Sequence, residues 1–178
     1  MNNALITIVL YTIKEQYVSE KAFYANQLGI SPQSWDRWKK GEHGLKPENM
    51  QIVSNLFTDY EWMLVQKVCS NAEILPEAAE NPVREYHFLK YQVAKKWIAT
   101  DLADFKWYTT DETVHDSEIH RPAITTLRLE CNYDFWSYKD IIDLRLPSII
   151  RHQIDSEKIN LLEWFNENTP DTITKITE

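Results

Sequence analysis

Glycine is scarce in this chain, with three residues among 178. That scarcity leaves no glycine-rich loop to cradle a phosphate and little material for long flexible linkers. Cysteine is scarcer: Cys69 and Cys131 stand far apart, without C-x-x-C spacing. Neither a zinc site nor a disulfide framework is expected, and a reducing compartment is the default. No apolar run reaches the ~18 residues that a membrane span requires. The apolar run at residues 5–10 lacks the basic start and small-residue cleavage site of a signal peptide. The expectation is a soluble protein of the bacterial cytoplasm with no membrane partner. A basic surplus is lacking too: 19 Lys and Arg stand against 27 Asp and Glu, a net charge of −8. Proteins that live mainly on affinity for DNA usually present a basic face.

What is present is a folded composition, 43% hydrophobic and 12% aromatic, with seven tryptophans. Disorder is excluded on that ground, and the length suffices for one good core or two small domains. Charge is divided unevenly. Residues 1–70 carry seven basic and seven acidic side chains, whereas residues 71–178 carry twelve against twenty. The only local basic cluster is Arg37, Lys39, Lys40 and Lys46. An acidic second half suits a partner with a basic surface, such as a nucleic-acid-binding protein. It also serves simple solubility.

Residues 24–57 organise the chain. They read as two short helices across a tight turn, then a loop and a third helix. Ala25 is small enough for another helix to approach, and Leu28 anchors the end of the first helix. Gly29 supplies the positive φ that closes a helix without a Cβ penalty. Ser31 offers an N-cap oxygen and Pro32 fits the first helical position. Trp35 and Trp38, three apart, share a face and point into one core. Gly41 stops the helix.

Ala25, Leu28-Gly29-Ile30-Ser31, Trp35, Arg37-Trp38, Gly41 and Pro47-Glu48-Asn49-Met50 together resemble the DNA-binding domain of phage Cro and repressor proteins. The resemblance implies a helix-turn-helix whose second helix enters the major groove and reads base edges with its first two turns. Pro32, Gln33, Asp36 and Arg37 would then face DNA, with Ser34 beside them and Lys39 and Lys40 at the phosphates. Gln33 and Arg37 have the chemistry for adenine and guanine edges. Pro32 has no side-chain donor, and Asp36 repels phosphate unless it meets a cytosine amine.

Around this stretch, residues 4–17 place Leu5, Ile8, Val9, Ile13 and Tyr17 at helical spacing. Ser19 caps the next helix, with Glu20 favourably placed in its first turn. Pro47 opens a helix carrying Met50, Val53 and Phe57. Thr58 and Glu61 form a capping box for a fifth helix through Trp62, Leu64 and Val68. Residues 70–81 lose periodicity and read as a linker between a domain of residues 1–69 and one of residues 82–178. Asn81-Pro82 restarts a helix expected to run to about Ala103, with Val83, Tyr86, Val93, Trp97 and Ile98 on one side.

From Phe105 the period changes to two. Residues 105–109, 125–133 and 138–146 read as strands, the last two joined by a hairpin at 132–137, with a polar loop at 111–122. Asp155 or Ser156 is expected to cap a last helix carrying Ile159, Leu162 and Phe165. The predicted fold class is α+β: an all-helical first domain, then helix, three antiparallel strands and helix.

Catalytic constellations are poor. His115 and His120 lie near Asp116 and Glu118, but no third ligand stands at fixed spacing. Asp140 and Asp143 fall on opposite faces of a strand, which argues against a carboxylate pair. Glu130-Cys131-Asn132 does not supply the acid-x-Lys of a restriction-type nuclease, and no G-x-S-x-G is present. The chain reads as a non-enzyme without cofactor or metal.

The complete layout is similar to the type II-A anti-CRISPR proteins of streptococcal phages that carry an N-terminal helix-turn-helix. The similar stretches are Phe57-Thr58-Asp59-Tyr60-Glu61, Phe88-Leu89-Lys90 through Trp97, Trp107-Tyr108-Thr109, Leu127-Arg128-Leu129-Glu130, and Leu162-Glu163-Trp164-Phe165-Asn166-Glu167-Asn168. This resemblance implies a homodimer that binds a type II CRISPR effector nuclease and blocks its engagement of target DNA. It also implies binding to the protein's own promoter through the first domain, at a near-palindromic site. A phage autorepressor is the alternative from a different class.

Overall fold

Caps and prolines divide the first ninety residues into short helices at the places where the backbone requires them. A computed structural model describes residues 3–109, 124–133, 137–156 and 159–169. It contains helices α1 (Asn3–Gln16), α2 (Glu20–Asn26), α3 (Pro32–Lys39), α4 (Pro47–Ser54), α5 (Asp59–Asn71), α6 (Pro76–Glu80) and α7 (Pro82–Ala99). Three strands follow, β1 (Ala103–Thr109), β2 (Ile124–Asn132) and β3 (Lys139–Pro147), then α8 (Ser148–Asp155) and α9 (Leu161–Asn168). The fold class is α+β. No helix among the described residues is long and apolar enough to cross a membrane.

The chain divides into two compact units, Met1–Leu89 and Lys90–Glu178. In the first, Ile8, Val9 and Ile13 of α1 are fully buried with Phe23, Trp35, Trp38, Val53, Val65 and Val68. Gln16 fastens α1 by donating from Nε2 to the Leu56 carbonyl at 2.9 Å. Thr58 and Glu61 form the expected capping box on α5. That cap needs extended backbone at Thr58, so α4 ends at Ser54 and Phe57 lies beyond it, not on it. Phe57 is buried all the same, edge-on to Tyr86 at 6.0 Å between ring centres. Residues 70–81 hold the end of α5 and all of α6, where Ala78 is buried.

Helix α7 stops at Ala99, four residues before the expected end. Asp101 takes a positive φ of 53°. Its N–H bonds the Ile98 carbonyl, and that of Leu102 bonds the Trp97 carbonyl, a Schellman closure without glycine. Ala103 is therefore already strand.

In the second unit, β1, β2 and β3 pair antiparallel in the order β1-β2-β3. Trp107, Leu127 and Leu144 lie in one row across the sheet, and Lys106, Arg128 and Asp143 in the next. Leu127, Leu129, Cys131, Ile142, Leu144 and Leu146 form the buried face. The opposite face is polar: Arg128 binds Asp143 through two hydrogen bonds of 2.7 Å, and Glu130 sits between Lys106 and Lys139. After the sheet come two helices where one was expected. Ser156 ends α8 instead of opening a helix, and the cap of α9 is Asn160, in a capping box with Glu163. Helix α8 buries no residue, and without a side-chain cap no capping signal marks its start. The loop expected at 111–122 lies outside the described residues, as does the middle of the expected hairpin, 134–136.

Candidate nucleic-acid interface

The geometry of α3 begins at its two ends. Gly29 holds a φ of +62° in the turn after α2, and the Ile30 N–H reaches back to the Tyr24 carbonyl at 3.2 Å. The Ser31 hydroxyl accepts from the Ser34 N–H at 3.2 Å, with Pro32 at the first helical position. At the far end Gly41, φ +74°, closes the helix while the Glu42 N–H bonds the Arg37 carbonyl. Both glycines sit where a Cβ is disfavoured by the backbone itself.

The inward face is aromatic. Trp35 and Trp38 are each 1% exposed, their rings stacked at 4.6 Å between centres. Tyr24 stacks on Trp35 at 5.8 Å, and Phe23 meets it edge-on at 6.1 Å. Ala25 does not take part. It is exposed, because the seven-residue α2 turns Phe23 and Tyr24 inward and the next position falls about 100° further round.

The outward face carries Gln33, Arg37 and Lys40, all exposed. At 3.6 residues per turn these three fall within an arc of about 60° opposite the tryptophans. Among the described residues, neither Arg37 nor Lys40 makes an ion pair. Ser34 is exposed beside them, but its hydroxyl lies 3.0 Å from that of Ser31, inside the cap. Asp36 is exposed on the flank and pairs with Lys39 at 3.3 Å.

Lys39 stands apart from the other basic side chains. Its ammonium donates to Glu20 Oε2 at 3.0 Å, and Trp35 Nε1–H donates to the same oxygen at 3.0 Å. One carboxylate at the start of α2 thus grips two residues of α3. Burial works against the charge of Glu20, but the hydrogen bonds from Trp35 and Lys39 outweigh it and hold the carboxyl below its ordinary value. The hydrogen bond to Glu20 raises Lys39 correspondingly. The sequence marked Glu20 only as a first-turn acid; its meeting with Trp35 and Lys39 depends on how two helices pack, and sequence spacing does not carry that.

Other candidates gain nothing. Among the described residues no cluster of three His, Cys, Asp or Glu side chains is placed to hold a metal ion. His115, Asp116, Glu118 and His120 lie outside them. Asp143 is committed to Arg128, and Asp140 accepts from the Tyr133 hydroxyl at 2.8 Å on the other face of β3.

The Glu20 contact predicts a pH dependence. A carboxyl held below its unfolded value contributes stability that is full above that value and is lost as pH falls through the folded one. The raised Lys39 contributes below its unfolded value and loses this only at alkaline pH, above about 10.4. Urea unfolding should find Glu20→Gln less stable than wild type by a steady margin between about pH 5 and 8, narrowing below about pH 4. A margin undiminished at acid pH contradicts this account.

No protein-family model matches the chain, and no curated protein or solved structure matches it at significance.

Proposed function

We propose that the first unit is a helix-turn-helix that reads duplex DNA with α3, in a transcriptional regulator of phage type acting in the bacterial cytoplasm. One observation carries this reading: Gln33, Arg37 and Lys40 share the exposed side of a helix whose opposite side is fixed in the core by Trp35 and Trp38. A helix with amide, guanidinium and ammonium groups on one stripe meets the chemistry of a major groove: an amide that donates and accepts, a guanidinium that donates twice, and a point charge for phosphate. The reading takes the protein as a homodimer on a near-palindromic promoter site. Strand β1, an edge of the sheet among the described residues, has Phe105 about half exposed and Leu102, just before it, likewise, which supports association with a second copy.

Gel shifts across the phage promoter at several salt concentrations test it. Arg37→Ala should weaken specific binding by about 1–3 kcal/mol, the usual worth of a good base contact. Lys40→Ala should weaken binding to every sequence alike and reduce the slope of log K against log salt by about 0.9 per bound protomer, about 1.8 for a dimer. No shift at low salt sinks the reading.

The acidic second half favours a second role for the same chain, stoichiometric inhibition of a type II CRISPR effector nuclease. Residues 71–178 hold twenty acidic side chains against twelve basic ones, a field suited to a basic nucleoprotein surface. In-vitro cleavage by the assembled nuclease, titrated with wild type and with Gln33→Ala/Arg37→Ala, separates the two roles. Inhibition is expected to be equal for both and to saturate at equimolar protomer and nuclease. Normal cleavage at excess protein, across nucleases from several streptococci, removes this role.

A further inference from the structure

Of the three basic side chains at residues 37–40, two on α3 and Lys40 at its C-cap, Lys39 alone points away from the stripe formed by Gln33, Arg37 and Lys40. On an ideal helix it falls about 100° from the nearest of them and closer to Trp35, on the side facing α2. There it is only partly exposed, 30% of the side chain, and bound at 3.0 Å to a carboxylate that also holds the Trp35 indole at 3.0 Å. Asp36 adds a second contact at 3.3 Å, but from a side chain that is 59% exposed. Water screens such a pair, so the grip on Lys39 comes mainly from Glu20.

Resting on the DNA reading above, we propose that Glu20 is a specificity-determining positioning residue. It withdraws Lys39 from the set of phosphate contacts and fixes the rotation of α3 through Trp35. A lysine free to reach phosphate strengthens binding to all sequences equally, because phosphate contacts carry no sequence information. Keeping it on the protein leaves affinity to depend on Gln33 and Arg37, the side chains with base-reading chemistry. The sequence expectation that Lys39 and Lys40 act alike at phosphates thus divides: Lys40 contacts DNA and Lys39 serves the helix.

Two duplexes test this, one of random sequence and one recovered by in-vitro selection on the wild type, each titrated over a range of salt. Glu20→Gln keeps an acceptor for the Trp35 indole and removes only the charge. It should bind the random duplex several-fold more tightly and steepen the slope of log K against log salt by about 0.9 per bound protomer, the value of one added phosphate contact. The ratio of selected to random affinity should fall. Lys39→Gln alone should leave the slope at the wild-type value. Glu20→Gln/Lys39→Gln should lose the extra slope, an outcome that a merely loosened fold does not produce. A slope unchanged in Glu20→Gln, or flattened by Lys39→Gln alone, overturns the inference while the DNA reading stands. A wild type that binds neither duplex at low salt overturns both.

Discussion

The first unit depends on two indoles held three residues apart on one side of α3. Each buries on the order of 150–250 Å², worth roughly 4–6 kcal/mol at ~25 cal/mol per Å² as an upper figure. Trp35 adds a hydrogen bond to Glu20, whereas Trp38 Nε1–H is buried with no hydrogen-bond partner among the described residues. An unmade bond of that kind costs about 1–3 kcal/mol, less than the ring burial returns. The pair therefore sets which side of α3 faces in. The outward position of Gln33, Arg37 and Lys40 follows from that choice, since a helix that fixes one face fixes the other.

Helix ends do the remaining work. Ser19, Ser31 and Thr58 each accept a backbone N–H at a helix start. Gly29 and Gly41 adopt the left-handed conformation where the chain must turn back. With two of three glycines spent on the ends of α2 and α3, backbone freedom is concentrated around the proposed interface. The second unit is organised by a different constraint. Its sheet buries one face and satisfies the other with its own charges: Arg128 with Asp143, Glu130 with Lys106 and Lys139, and Arg128 over the Tyr108 ring at 5.0 Å. Because these charges neutralise one another across strands, the acidic surplus of the second half is carried by residues elsewhere in it.

What the sequence made legible is what short-range physics controls. Ser31-Pro32, Thr58 with Glu61, and Asn81-Pro82 are caps whose partners lie within three residues, and all three open helices. The alternation of Leu127, Leu129 and Cys131 places β2 correctly within a residue at each end. The misreadings arise where a local signal competes with another or is missing. Asp155 and Ser156 look like a cap but end α8, while Asn160 and Glu163 make the better capping box further on. Ala25 fits a familiar pattern by residue type, yet the burial of Phe23 and Tyr24 turns it outward. Glu20 escaped because its partners, Trp35 and Lys39, are fifteen and nineteen residues away. No periodicity links them; only the packing of α2 on α3 does.

The central claim is that α3 is the surface that meets nucleic acid. Amide hydrogen exchange of the full chain, with and without a random-sequence duplex at low salt, addresses it most directly. The account predicts added protection concentrated in residues 31–42, with the strands of the second unit unchanged. Protection confined to the second unit, or none at saturating duplex, would contradict it.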